Sequence, residues 1–589
     1  MQNPTEFYNN QLSALIVASS KIKKKLYISS MLRFFTFLSI ILGVYVFFGN
    51  YTAVTFVVVL GIALFVFLIL KHTNLQYTYN LNKALIKINN LELKVLNRDY
   101  LSLKDGREFV NTKHPFSYDI DLFGKGSFFQ YCNRTITVEG EKELVAELTS
   151  NSISSIETKQ KGIKELSEKP TWRQNFSAIA SLVKVEHPAI EIVNWIHNYN
   201  FVFPKFISFF PAVFSIISIG IIVLLGLQLI PATILLLWLF TGLGISGLYL
   251  KKVNELYKNT GYAKDTFKQY YKLLKEIEDA TFTSEILKSK QQEIQSETEK
   301  ASVIFKKYSK LLDALDQRNN VIIAVFGNGL FLRDIQQAYQ IEKWIKTYKS
   351  KVESWFQVIA FFDAQNSLAN FAFNHPNYVF PTINTSNIVI NATDLGHTLL
   401  KEAQRVDNNF TIKNQEFFII TGANMAGKST FLRTVSLSIV MANVGLPVCA
   451  KNFEYSPIKL ITSMRTTDSL ADDESYFFSE LKRLKFIVDE IKTANYFIIL
   501  DEILKGTNST DKAIGSKKFV EKLVASNSTG IIATHDLSLC EIAQDLQEIK
   551  NYYFDAEIIN NELNFDYQLK DGICKNMNAS FLLKKMEII

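Results

Sequence analysis

The 589-residue chain carries 64 basic and 57 acidic side chains, and the resulting formal charge of +7 is too dilute over this length to announce a nucleic-acid partner. A chain this long exceeds one ordinary core and predicts roughly three to five folded units. The four cysteines, Cys132, Cys449, Cys540 and Cys574, are far apart and form no C-x-x-C pair, which argues against a zinc knuckle or a disulfide framework and fits reduced thiols in a cytosolic setting.

Residues 1–33 read as a polar N-terminal arm containing KIKKK, with no small-residue cleavage site of a secretory signal. Residues 34–70 contain no charged side chain. That run is about twice what one bilayer crossing needs, so it predicts a helical hairpin turning at Gly49-Asn50-Tyr51. Residues 71–203 return to mixed character, with helix-like stretches such as KELVAELTS and SSIETKQKGIKELSEK, and form the first part of a helical core. A second charge-free run within 204–250, with Pro231 near its middle, predicts another membrane hairpin.

Four membrane helices are therefore expected. Lys21, Lys23, Lys24, Lys25 and Arg33 precede the first hairpin and Lys71 follows it; Lys205 precedes the second, and Lys251 and Lys252 follow. These flanks put both hairpin ends on the cytoplasmic side of an inner membrane. The four spans carry no internal Asp, Glu, Lys or Arg, so anchoring is a simpler reading than transport. Residues 251–375, rich in Lys, Glu, Gln and Leu, read as a helical lever or second part of the core, with a boundary near His375-Pro376.

Residues 376–589 read as an α/β domain. EFFII, KLITSM, YFIIL and GIIAT are short apolar runs that predict buried strands of a parallel sheet. After EFFII comes TGANMAGKST, which fits G-x-x-x-x-G-K-[ST] with Gly422, Gly427, Lys428 and Ser429 in the defining places, followed by the helix-forming FLRTVSLSIVMA. Gly422, Ala423, Asn424, Met425, Ala426, Gly427, Lys428, Ser429 and Thr430 are thus candidate ATP-binding residues. Lys428 is placed to reach the β- and γ-phosphates, and the Ser429 hydroxyl to bind Mg²⁺. FIILDE ends on Asp501, a second candidate for the Mg²⁺ shell, and Glu502, a candidate to polarise the attacking water. His535, in ATHD after the next apolar run, is a candidate γ-phosphate sensor.

TGANMAGKST, TTDSLADDESYFFSEL, LDEILKGTNSTD and ATHDLSL, in that order, resemble the ATPase domain of the MutS family of DNA mismatch repair proteins. FDYQLKDGICKNMNA and, upstream, YDIDLFGKGSFFQYCNRTITVEGEKELVAELTS extend the resemblance to roughly residues 115–200 and 350–585. Taken with the apolar runs, it implies a multi-domain chain: α-helical membrane hairpins and a helical core or lever, joined to a C-terminal α/β P-loop NTPase domain of the MutS-like, ABC-type class.

By that resemblance Ser475 enters the neighbouring subunit's nucleotide site, so ATP and Mg²⁺ sites are shared across a homodimer and DNA is the inherited ligand. Asn424 is the loop asparagine, Glu480 closes the signature segment, and Asn508 to Asp511 face the partner subunit. Ser475 is equally placed to cap the helix YFFSELKRLKFIVDEI. Ala423, Ala426, Leu504 and Lys505 replace a proline, a glycine, a glycine and an arginine of the family pattern.

The family's N-terminal mismatch-reading domain is expected to be missing. TEFYNN, around Phe7, lacks the glutamate of the family's Phe-x-Glu wedge and is given no role. The resulting expectation is a membrane-anchored, dimeric ATPase driving a DNA clamp. A membrane scaffold that binds protein is the rival reading. An ABC-type transporter is weaker, because DSLADDESYFFSEL stands where an LSGGQ-like signature is needed.

Overall fold

The computed structural model describes residues 3–183, 188–295, 299–423, 425–465, 476–559 and 562–574. A mostly helical region precedes a C-terminal α/β domain.

Helix α1 (Pro4–Val46) and helix α2 (Tyr51–Leu96) form one long antiparallel hairpin. Asn3 caps α1 through the Thr5 N–H at 3.0 Å, with Pro4 in the first turn where its missing N–H costs nothing. Gly49, at φ 94°, makes the reversal, and Asn50 caps α2 by accepting from the Ala53 N–H at 3.1 Å. Gly43 faces Val57 and Gly61 faces Ile40 so closely that a Cβ on either glycine would clash. The polar arm is thus continuous with the first apolar helix: nothing in residues 5–46 breaks a helix, and the lysines at 21–25 are good helix formers. The start of that arm is fixed in the core, where Phe7 and Tyr8 pack edge-on against Phe373 and the Tyr8 hydroxyl donates to Asn374 Oδ1 at 2.7 Å.

The helical core contains α3 (Phe128–Cys132), α4 (Val138–Thr149), α5 (Ile156–Ser167), α6 (Pro170–Ser181) and α7 (Ala189–His197). The second apolar hairpin follows as α8 (Phe210–Gly226) and α9 (Ala232–Asp279). Then come α10 (Glu285–Gln292), α11 (Ala301–Asp316), α12 (Val321–Phe331) and the 42-residue α13 (Arg333–Asn374). Among the described residues, three helical stretches are long and apolar enough to cross a membrane, by length and composition: Pro4–Val46, Tyr51–Leu96 and Ala232–Gly261. The fourth expected span corresponds to α8, a 17-residue apolar helix.

Helix α13 is the spine against which α4, α5, α7, α9 and α11 pack. Its Asp363 is fully buried and accepts from the Ile136 and Thr137 N–H groups and the Thr137 hydroxyl, tying the start of α4 to the spine. Beside it, Glu92 bonds Arg134 at 2.6 Å and Asn374 at 2.8 Å.

Among the described residues the C-terminal domain has two larger sheets and one two-stranded hairpin. One comprises β1 (Thr382–Ile383), β2 (Ile388–Leu395), β3 (Asn408–Lys413) and, later in the chain, β5 (Asn452–Tyr455), ordered β1-β5-β2-β3. The other begins with β4 (Phe417–Gly422), followed by helix α14 (Lys428–Val444), β6 (Lys459–Ser463), α15 (Tyr476–Glu490), β7 (Tyr496–Asp501), α16 (Ser509–Ala525), β8 (Thr529–Ala533), α17 (Ile542–Asp545) and β9 (Ile549–Phe554). After the small hairpin β10 (Glu557–Ile559) and β11 (Glu562–Asn564), β12 (Leu569–Asp571) closes the edge to give the order β12-β9-β4-β8-β7-β6.

All neighbours in this six-stranded sheet are parallel except β12 against β9. The four predicted runs form β4, β6, β7 and β8, buried nearly end to end as a sheet covered on both faces requires. The helical core covers the β6 edge: the Asn151 amide donates to Leu460 O at 2.9 Å and accepts from Leu460 N at 2.8 Å. Asp119 also accepts from Thr462 Oγ1 and Arg465 N.

Candidate nucleotide site

The loop between β4 and α14 needs its glycines. Gly422 sits at φ 146° with Phe554 O only 2.5 Å from where a Cβ would stand, and Gly427 sits at φ 106° against the Tyr567 ring. This backbone path brings the chain around the start of α14, where unpaired N–H groups and the helix dipole favour an anion.

Lys428 is only 6% exposed, and its ammonium donates to Gly422 O at 2.8 Å and Ala423 O at 2.9 Å. Burial pushes its pKa down, opposed by the charges of Glu502 and Asp501. Neutral carbonyls hold this cation in place without balancing its charge. One residue on, the Ser429 hydroxyl donates to Asp501 Oδ2 at 2.7 Å, so two oxygen ligands suited to a hard cation meet at the end of β7.

Glu502 follows in the left-handed region at φ 51°, its N–H held by Ala533 O at 2.9 Å. Its carboxylate lies 2.8 Å from His535 Nε2 and 3.6 Å from Lys505 Nζ. The hydrogen bond to His535 holds the Glu502 pKa down at about 2, helped by the charge of Lys505. His535 Nε2 is also 3.4 Å from Lys428 Nζ.

Glu480, 3% exposed and with its pKa raised by burial, accepts from Leu504 N at 2.5 Å and Lys505 N at 3.1 Å. It therefore fixes the turn that follows Glu502. Asn508 caps α16 by accepting from Asp511 N at 2.8 Å, so the two residues support each other at the helix start.

These groups line a cleft of about 520 Å³. The structure brings Met425, Gly427, Lys428, Ser429, Thr430, Asp501, Glu502 and His535 to its wall, with Gly422, Ala423 and Ala426 behind them in the loop. Asn424 and Ser475 lie outside the described residues, as does the remainder of the signature segment before Tyr476.

The rest of the lining carries no assigned role in the sequence, although Tyr567 lies within FDYQLKDGICKNMNA. It includes His397, Asn408 and Tyr567, carried by segments on either side of the loop in the chain. Asn408 binds the Tyr567 turn twice, donating to Tyr567 O at 3.1 Å and accepting from Leu569 N at 2.7 Å. Burial lowers the His397 pKa to about 4, leaving a neutral ring at pH 7. The cleft thus combines charged groups, Lys428, Asp501 and Glu502, with the Tyr567 ring and the neutral His397, a combination that suits a nucleoside polyphosphate.

Among the described residues no group of three or more His, Cys, Asp or Glu could hold a metal ion. The Ser429 and Asp501 pair alone is the donor set magnesium uses when substrate phosphates and water complete its shell.

Residues 418–585 match the family description MutS domain V. The DNA mismatch repair protein MSH4 of Arabidopsis thaliana is 30% identical over 200 residues, 33% of this chain and 25% of that protein. DNA mismatch repair protein MutS of Finegoldia magna is 28% identical over 274 residues, covering 45% of this chain and 30% of the relative. The corresponding Staphylococcus aureus MutS is 27% identical over 270 residues, covering 44% and 30%. The chain thus spans between a quarter and a third of the length of these relatives.

Proposed function

We propose that this chain, which is of the MutS family by its C-terminal domain, is a membrane-anchored ATPase that works as a homodimer and drives a DNA-binding clamp. The observation that carries the ATPase reading is the buried Lys428 ammonium, held by two carbonyls at the mouth of a helix N-terminus, with Ser429 and Asp501 paired beside it. A desolvated cation with no carboxylate in hydrogen-bond contact gains most from a polyphosphate.

In this reading the Tyr567 ring and His397 take the nucleobase, and Lys428 binds the β- and γ-phosphates. Ser429 and Asp501 would hold Mg²⁺, which when bound neutralises phosphate charge. Glu502 orients and polarises a water; its oxygen forms a bond to the γ-phosphorus as the bond to the ADP oxygen breaks, and the water's proton leaves through Glu502. His535 holds Glu502 in position and reports on the γ-phosphate. Glu480 keeps the turn after Glu502 in place. Ser475 from the second subunit completes the site, so that ATP closes the dimer and hydrolysis releases it.

The three long apolar helices support an anchor in the cytoplasmic membrane with the ATPase domain in the cytoplasm. The spine α13 joins the membrane side of the molecule to the ATPase domain over about 63 Å. Phe7 has a core role against Phe373, which leaves the mismatch wedge of the family without a counterpart at that position. DNA recognition in this reading therefore rests on the clamp and on the phosphate backbone.

The test is the ATPase rate of the full chain in nanodiscs, titrated with homoduplex, mismatched and branched DNA at low and moderate salt. Stimulation that fades with salt is expected from counterion release. Turnover indifferent to every DNA overturns the clamp and favours a membrane scaffold for protein partners. Absence of turnover under all conditions overturns the ATPase.

A further inference from the structure

Helix α12, Val321–Phe331, lies in a region whose sequence is otherwise that of a polar helical lever. It is apolar throughout except for Asn328, yet Val321, Ile322 and Phe326 are 74%, 69% and 53% exposed. Eleven residues are too few to cross a bilayer, so length gave no sign of it. The structure places it against the second apolar hairpin, in contact with both α8 and α9.

The contact with α9 is close. A Cβ on Gly242 would run into the Gly329 carbonyl, and one on Gly329 would meet Leu239 Cγ at 2.8 Å. Gly242 lies inside the charge-free part of α9, about 14 Å along the helix from Lys251. At its other end α12 starts near the level of Tyr257, whose hydroxyl accepts from Asn319 at 2.7 Å. The helix therefore runs from the charged end of α9 toward the middle of its apolar stretch, then turns back at Leu332, φ 48°, into α13.

Asparagines cap the start of α12 and the start of α13 that follows it. Asn320 accepts from the Ile322 and Ile323 N–H groups, and Asn328 accepts from Asp334 N at 2.9 Å. Arg318 and Asp334 pair at 3.2 Å with both side chains almost fully covered. Arg333, Gln336 and Gln337 border the groove that Ile322 and Phe326 line, a polar rim suited to headgroups.

We propose that α12 is a re-entrant lipid-contacting helix, with Phe326 among the acyl chains of the bilayer that receives the second hairpin and Val321 and Ile322 nearer its surface. This rests on the membrane reading given above and adds a fifth embedded element, one that leads directly into the spine of the ATPase. Lipid is the occupant because the exposed Leu237, Phe240 and Leu248 of α9 belong to a helix in direct contact with α12. A bilayer that covers one helix meets the other.

Cysteine labelling can test it on the full chain, since Cys132, Cys449, Cys540 and Cys574 are all buried. A polarity-sensitive fluorophore is attached at Phe326→Cys, at Leu237→Cys on α9 and at Lys346→Cys on the spine, each in phosphatidylcholine nanodiscs. Brominated lipid should quench the probes at 326 and 237 and iodide should not, with the reverse at 346. Ile323→Cys, one turn earlier on the same groove, repeats the measurement if Phe326→Cys fails to fold.

A water-exposed probe at 326 beside a lipid-quenched one at 237 overturns the re-entrant helix and leaves the anchor standing. Water exposure at both removes the anchoring role of this hairpin as well. Shielding of 326 from both quenchers means that protein covers the face, which also overturns the proposal.

Discussion

Glu502 Oε1 and His535 Nε2 stand 2.8 Å apart, and this contact is the first reason the Glu502 carboxyl is held down at about 2. The carboxylate is therefore ionised and oriented before any nucleotide arrives. Glu502→Gln keeps the shape but cannot take a proton. It should bind ATP with unchanged affinity and lose turnover by roughly 10²-fold or more. Steady-state ATPase and binding of a fluorescent nucleotide check both halves; normal hydrolysis would remove Glu502 from the chemistry.

The same pairing has a pH signature. The folded pKa of about 2 lies below the ordinary 4.5, so the Glu502 contribution to stability is complete above 4.5 and lost as pH falls toward 2. The melting-temperature difference between wild type and Glu502→Gln should stay constant from neutral pH down to about 5 and then change progressively in more acid solution. A difference that instead varies between pH 6 and 8 would assign the linkage to another group.

Lys428 illustrates a residue kept for its ligand. Burial lowers its pKa, and two carbonyls and the His535 ring, with no carboxylate, are its hydrogen-bond contacts, so it contributes little to the empty domain. Lys428→Ala should leave the melting temperature of the nucleotide-free protein nearly unchanged. It should abolish the stabilisation by ATP, worth about 2.7 kcal/mol at 100 times Kd in the wild type. Melting curves with and without Mg-ATP separate the two effects.

Much of this site was legible because its chemistry is local. Gly422, Ala423, residues 425–430, Asp501, Glu502 and His535 follow or end β4, β7 and β8, whose uninterrupted apolar runs announce buried parallel strands. The second sheet was hidden because NNFTIK and NFEY alternate buried and exposed positions and mix polar with apolar side chains. Tyr567 and Asn408 meet across 159 positions of sequence, a juxtaposition no local pattern encodes. The lysines at 21–25 marked a change of solvent without breaking the helix, so α1 runs through what composition alone divides.

Leu504 stands where the family pattern has glycine, and it adopts the backbone a glycine would, at φ 59°. That strain costs about 1–2 kcal/mol. Its side chain is 7% exposed in the cluster containing Leu500, Ile503 and Val520, and losing such a packed leucine costs about 2–5 kcal/mol. Packing outweighs strain, so Leu504→Gly should melt below wild type. Leu504→Ala loses the same packing and keeps the strain, so it should melt lower still. The reverse order would show that the turn is not left-handed in solution.

Tyr567 supplies the last prediction. Its turn is held by Asn408, its ring stacks on Phe565 at 5.8 Å between centroids, and it lines the cleft beside Gly427. A stacked nucleobase there gains about 0.5–1.5 kcal/mol, equivalent to roughly 2- to 12-fold in affinity. Tyr567→Ala should raise the KM for ATP by that factor and leave kcat almost intact, because in this reading the ring holds the nucleobase and takes no part in the chemistry at the γ-phosphate. Tyr567→Phe should behave as wild type, since only the hydroxyl is lost. Triphosphate alone should bind Tyr567→Ala as well as it binds the wild type, since Lys428 and the loop are untouched. A fall in kcat with KM unchanged would instead make Tyr567 a support for Gly427, whose backbone it touches, and would move the nucleobase elsewhere in the cleft.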